Sequence, residues 1–99
     1  MAVHWGGIPI DIDALKEVAG NVPIIEDCAH AFGVEYKGKL IGTHGNLCEF
    51  SLQAIKHLTT IDGGLLFTSN KEQSKLSLCL SKNCFQTRAK IILPKLPCP

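Results

Sequence analysis

Pro23-Ile24-Ile25-Glu26-Asp27-Cys28-Ala29-His30-Ala31 is the stretch whose reading decides the fold. Together with Val22 it makes a nearly continuous apolar run that closes on two acids. That is the pattern of a parallel strand covered on both faces. Asp27 falls at the carboxyl end of this strand, where open α/β sheets keep their ligand crevice. Glu26 is its neighbour, but successive strand residues point to opposite faces, so the two acids do not form a catalytic pair.

Working outward, Ala2-Val3-His4-Trp5 reads as the end of a short strand and Gly6-Gly7-Ile8-Pro9 as a turn. Asp11 to Ala19 reads as a short helix: an aspartate starts it, Ile12, Leu15 and Ala19 share one face, and Gly20-Asn21 stops it. Val34 to Ile41 is a hairpin turning at Lys37-Gly38. Leu47 to Ser51 and Gly64 to Thr68 are further strands. Asn70 caps a second helix running to about Lys82, with Gln73 placed as its capping-box partner. Alternation of strand and helix predicts α/β layers with a mostly parallel sheet and a hairpin insertion. Residues 1–84 are expected to belong to one domain and 85–99, which end in Pro94-Lys95-Leu96-Pro97-Cys98-Pro99, to be an irregular tail.

Ninety-nine residues suffice for one modest core, and 45% apolar with 19% charged residues is ordinary for a globular chain. The net charge of +1 gives no reason to invoke nucleic acid or an anionic membrane. Its distribution is uneven: nine acids against five bases give −4 over residues 1–72, and five bases without an acid give +5 over 73–99. Those bases are spread out with only Phe85 among them, as in a solvated terminus. Five cysteines, at 28, 48, 79, 84 and 98, contain no Cys-x-x-Cys pair, and no signal peptide or bilayer-length apolar run occurs. A reduced, cytoplasmic protein is expected.

The second informative stretch is Phe50-Ser51-Leu52-Gln53-Ala54-Ile55-Lys56-His57-Leu58-Thr59-Thr60-Ile61-Asp62-Gly63-Gly64. A strand runs into a hydroxyl-bearing loop that carries one lysine and closes on two glycines. A loop lysine plus a strand-end carboxylate is what pyridoxal phosphate chemistry needs: an amine for covalent attachment and an acid to keep the pyridine nitrogen protonated. Lys56 and Asp27 fill those roles, and Ser51 offers a hydroxyl for the phosphate. Each residue alone reads more readily as a solvated lysine, a strand terminus or a plain serine; the ensemble carries the argument.

These segments resemble one family. Val3-His4-Trp5-Gly6-Gly7-Ile8-Pro9-Ile10-Asp11, Glu26-Asp27-Cys28-Ala29-His30-Ala31-Phe32-Gly33, the Tyr36-Lys37-Gly38-Lys39 hairpin with Gly42-Thr43-His44-Gly45, and Phe50 through Lys56 to Gly64 are similar, in order and spacing, to the pyridoxal-phosphate-dependent nucleotide-sugar aminotransferases of the DegT/StrS group. The resemblance covers about residues 2–82. It implies an α/β fold of the aspartate aminotransferase type (fold type I), with this chain forming part of the large cofactor domain. It implies that Lys56 is the Schiff-base lysine, Asp27 the partner of the pyridine nitrogen, His30 a neighbour of the ring and Ser51 a phosphate ligand. Glutamate is the implied amino donor, a keto-sugar nucleotide the acceptor, and a homodimer the working form. Some relatives carry histidine in place of the lysine and are dehydratases; lysine here points to amino transfer.

The chain starts well inside the family's sequence, lacks its upstream phosphate loop, stacking aromatic residue and small domain, and departs from it after Cys84. A non-catalytic remnant that acts only by association is therefore one alternative. Another is a small zinc module built on Cys28, His30, His44 and Cys48.

Overall fold

The computed structural model describes residues 1–83 and 89–90, with side chains through residue 77. Strands are β1 (Ala2–Val3), β2 (Ile25–Asp27), β3 (Glu35–Tyr36), β4 (Lys39–Leu40), β5 (Leu47–Ser51), β6 (Gly64–Phe67) and β7 (Ala89–Lys90); helices are α1 (Ile12–Ala19) and α2 (Lys71–Asn83). The main sheet has the order β1-β2-β5-β6-β7, and β3-β4 form a separate hairpin. β1, β2 and β5 run parallel, β6 is antiparallel to β5, and β7 is parallel to β6. The expected mostly parallel α/β sheet with a hairpin insertion is thus present. β7 lies within the stretch read as an irregular tail; the proline-rich end lies outside the described residues.

Local chemistry explains the elements. Asp11 caps α1 through Oδ1, which accepts the Ala14 N–H at 3.1 Å and the Tyr36 hydroxyl at 2.9 Å. The Ala14 amide, with Tyr36 second, holds the Asp11 carboxyl below the usual carboxylate range. Gly20 ends the helix at φ 55°. Lys37 and Gly38 both take positive φ (51° and 76°), the geometry of a tight hairpin turn. Asn70 Oδ1 accepts the Glu72 and Gln73 amides at 2.9 and 3.2 Å and so starts α2. The expected capping box is not formed. Thr68 Oγ1 accepts the Asn70 amide instead, and Gln73 Oε1 lies 2.9 Å from that hydroxyl.

Register sorts the sheet into two unlike faces. Ala2, Glu26 and Cys48 stand side by side, as do Val3, Asp27 and Glu49. The first face carries the core of Ile12, Cys28, Ala31, Ile41 and Cys48, with Ile10, Val34, Tyr36, Phe50 and Phe67 packed against it. On the second face Val3 and Ile25 remain 42% and 40% exposed. β2 is therefore covered on one face by the described residues, where the apolar run predicted cover on both. That run also pairs over fewer residues than expected, because Ile24 is taken up at the strand's start by Asn46: its amide donates to Asn46 Oδ1 at 2.8 Å, and its carbonyl accepts the Asn46 amide at 2.8 Å.

Beneath the first face lies a buried carboxylate. Glu26 is fully buried, and its oxygens accept the amides of Gly42 and His44 at 2.8 Å each, and the amide of Gly45. This pins the 42–45 turn to β2. A side chain at Gly45 would place its Cβ 2.7 Å from the Ile24 carbonyl and 3.2 Å from Glu26 Oε1. Gly45→Ala is expected to lower stability by about 1–3 kcal/mol, the cost of overpacking a tight site, read as a drop in the urea midpoint at unchanged slope.

Candidate active site

Asp27 closes β2, Ser51 closes β5, and Lys56 sits in the loop that follows β5, so all three gather at the carboxyl edge of the parallel strands. The Leu52–Gly63 loop is closed at its base. The Leu52 amide donates to the Gly63 carbonyl at 2.9 Å, and the Thr60 amide and Thr59 hydroxyl both donate to the Leu52 carbonyl at 3.0 Å. A turn from the Gln53 carbonyl to the Lys56 amide, at 2.9 Å, sets the lysine inside this loop. Its side chain is half-buried.

The loop stores backbone strain at Ile61, a β-branched residue at φ 75°. Its side chain is exposed, so no packing is lost on replacement. Ile61→Asn, which tolerates this conformation, is expected to raise stability by about 1 kcal/mol, seen as a higher melting temperature.

Two adjoining crevices open here. One, of about 220 Å³, is lined by Gly6, Ala29, His30, Ile55, Lys56 and His57. The other is lined by Val3, His4, Trp5, Asp27, Ala29 and His30. Ala29 and His30 line both, so the Lys56 crevice and the Asp27 crevice adjoin at His30. Asp27 Oδ1 accepts the Ala29 amide at 3.0 Å, which fixes the carboxylate and turns the chain after β2. Ser51 is not among the lining residues; its Oγ lies 3.4 Å from the Gln53 amide, at the start of the lysine loop. His57, to which the sequence reading gave no role, lines the crevice beside Lys56. Its adjacency to the lysine was the available signal.

The four-ligand zinc set does not assemble. His30 packs its ring on Trp5 at 4.5 Å between centroids, and His44 stacks edge-on against Tyr36 with Nε2 3.1 Å from the Lys39 carbonyl. Cys28 and Cys48 are buried, and the Cys48 thiol together with burial pushes the Cys28 thiol up, away from the thiolate a metal needs. The ligand atoms of His4, Glu26 and Cys28 do lie within 4.8 Å of one another. Yet Nδ1 of His4 accepts the Ile10 amide at 3.3 Å, which places the ring proton on Nε2, the atom that faces Glu26. Glu26 is already committed to three amides. This cluster is a packed polar core.

Residues 1–92 match the family model described as the DegT/DnrJ/EryC1/StrS aminotransferase family. The chain belongs to this family. Among its curated members, the UDP-4-amino-4-deoxy-L-arabinose–oxoglutarate aminotransferase of Shewanella sediminis is 47% identical over 72 residues, 71% of this chain and 18% of the relative. Solved aminotransferase structures superpose well. The aminotransferase TlmJ from Streptoalloteichus hindustanus gives a TM-score of 0.75 at 31% identity, over 88% of this chain and 26% of that one. Streptococcus pneumoniae Spr1654 in its PLP form gives 0.71 at 28% identity, over 85% and 28%. The chain therefore spans about a fifth of the length of the curated relatives it matches. No helix among the described residues is long and apolar enough to cross a membrane.

Proposed function

We propose that this chain is the lysine-bearing part of a pyridoxal-phosphate-dependent aminotransferase that moves the amino group of glutamate onto a keto-sugar nucleotide. The observation that carries the reading is the pair of adjoining crevices: one lined by a lysine from the β5–β6 loop, the other by a carboxylate at the end of β2, with the His30 imidazole lining both. That donor set fits the cofactor's chemistry. The group offers an aldehyde, a ring nitrogen that must stay protonated and a phosphate, and the crevice offers an amine, an acid and neighbouring basic side chains.

Pyridoxal phosphate, when bound, supplies a carbonyl that takes up the amino group and a ring that accepts the electron pair freed at carbon. The protein does the rest. Lys56 Nζ would hold the cofactor covalently and carry a proton between carbon centres, roles open to a lysine amine. Asp27 holds the proton on the ring nitrogen; its Ala29 contact engages Oδ1 only. His30, which lines both crevices, would flank the ring, and Ser51 at the end of β5 would take the phosphate. Residues 1–84 form part of the cofactor domain.

The donor and acceptor rest on kinship. The Shewanella sediminis relative is named for oxoglutarate, the keto partner of glutamate, and for a UDP-linked amino sugar. The test is isotopic. The cofactor-loaded protein receives 15N-glutamate and a keto-sugar nucleotide, and the nucleotide sugar is weighed. Transfer of 15N into it supports the reading. A protein that takes up pyridoxal phosphate on Lys56 but moves no 15N from glutamate refutes it.

A further inference from the structure

We propose that Trp5 is a positioning residue that holds the His30 imidazole in the crevice; its link to the cofactor rests on the proposed function. His30 reaches both crevices, yet no side-chain hydrogen bond fixes its ring among the described residues. What the ring does touch is the Trp5 indole, with centroids 4.5 Å apart and planes inclined by 56°. An imidazole without a hydrogen-bond anchor rotates freely about two side-chain bonds unless packing stops it.

Trp5 is itself 72% exposed, but its backbone is not free. On one side the His4 amide donates to the Asp27 carbonyl at 3.0 Å, and the His4 ring is buried. On the other, the Ile8 amide closes a tight turn onto the Trp5 carbonyl at 3.0 Å, with Gly6 and Gly7 at φ 61° and 80°. A Cβ at Gly7 would come within 3.4 Å of the His30 carbonyl, so the turn lies directly against the His30 segment. The indole is thus mounted at the end of β1, the strand paired with β2, whose last residue is Asp27, and it meets the His30 ring in the crevice lining. An aromatic pair of this kind contributes beyond simple burial. Its function here is to fix where the imidazole points.

The test uses the single tryptophan position and needs no turnover. Imidazole proton resonances of His30, assigned with His30→Gln, are expected to be displaced by the indole ring current in wild type. In Trp5→Leu they move to the values of a free imidazole; in Trp5→Phe they keep part of the displacement. The resonances of His44 and His57 stay in place in both variants, which a general structural disturbance would not allow. In parallel, pyridoxal phosphate binding weakens about 3- to 10-fold in Trp5→Leu and less than about 2-fold in Trp5→Phe. Undisplaced His30 resonances in wild type overturn the proposal, as does unchanged cofactor affinity in Trp5→Leu. If wild type takes up no cofactor on Lys56, the proposed function is what fails, and the His30 resonances decide the positioning claim by themselves.

Discussion

Lys56→Ala is expected to abolish amino transfer, and Lys56→Arg is expected to restore none of it. On the proposed function, the alanine removes both the amine that would tether the cofactor and the base that would carry the proton. The second role alone is worth about 10²–10⁴ in rate. Arginine keeps the positive charge but cannot give up its proton, so it supplies neither function. The pair of variants therefore separates chemistry from charge. Were Lys56 only a cation attracting phosphate into the crevice, arginine would recover most of the activity. The measurement is the rate of 15N transfer from glutamate at saturating cofactor. Because Lys56 is half-buried in a loop closed by backbone bonds rather than by the lysine side chain, both variants are expected to keep the wild-type melting temperature within a few degrees.

Glu26→Ala is expected to cost a large share of the stability. Its carboxylate is the sole side-chain acceptor for the Gly42, His44 and Gly45 amides and faces the His4 Nε2–H at 3.4 Å. That last approach is close but poorly aligned, and His4 Nε2 makes no formal hydrogen bond. It contributes electrostatic attraction and is a smaller effect than the amides. Removing the carboxylate strands several buried donors, each costing about 1–3 kcal/mol, and breaking a buried charged contact typically costs about 3–5 kcal/mol in all. Domains are stable by only about 5–15 kcal/mol, so most of the margin is lost. Glu26→Gln keeps the shape but turns an NH2 group toward donors and is expected to recover less than half of the loss. Urea unfolding of the three proteins orders them wild type, Gln, Ala. Equal midpoints for wild type and Gln would mean that the turn does not depend on the acceptor pair.

What could be read from the sequence follows from how local each cause is. The hairpin is legible because Lys37-Gly38 must take left-handed conformations, and α1 because Asp11 and Gly20 bracket one apolar face. Asp27 and Lys56 stand out by matching residue types to a chemistry, and the fold places them in adjoining crevices that share His30. Glu26 was seen only as the acid pointing the other way. Its partners lie a hairpin further along the chain, and no local pattern says that a glycine turn will fold over a strand-borne carboxylate. A hint did exist: Ala2, His4 and Glu26 fall on one face once β1 and β2 are paired in register, which leaves a polar pair in an apolar layer. Ser51 shows the converse. Its place at the end of β5 was legible, but lining the crevice depends on the path of the lysine loop, which residue order does not dictate. Gln73 was assigned to Asn70 by spacing alone, whereas Thr68 was nearer and took the amide.

Reductive trapping tests the central claim most directly. The chain is mixed with pyridoxal phosphate, reduced with borohydride, digested, and the modified lysine located by mass spectrometry. The account predicts a single pyridoxyl adduct on Lys56 that is lost in Lys56→Ala and weakened in Asp27→Asn. Adducts scattered over exposed lysines such as Lys16, Lys37 and Lys39, with no preference for Lys56, would contradict it.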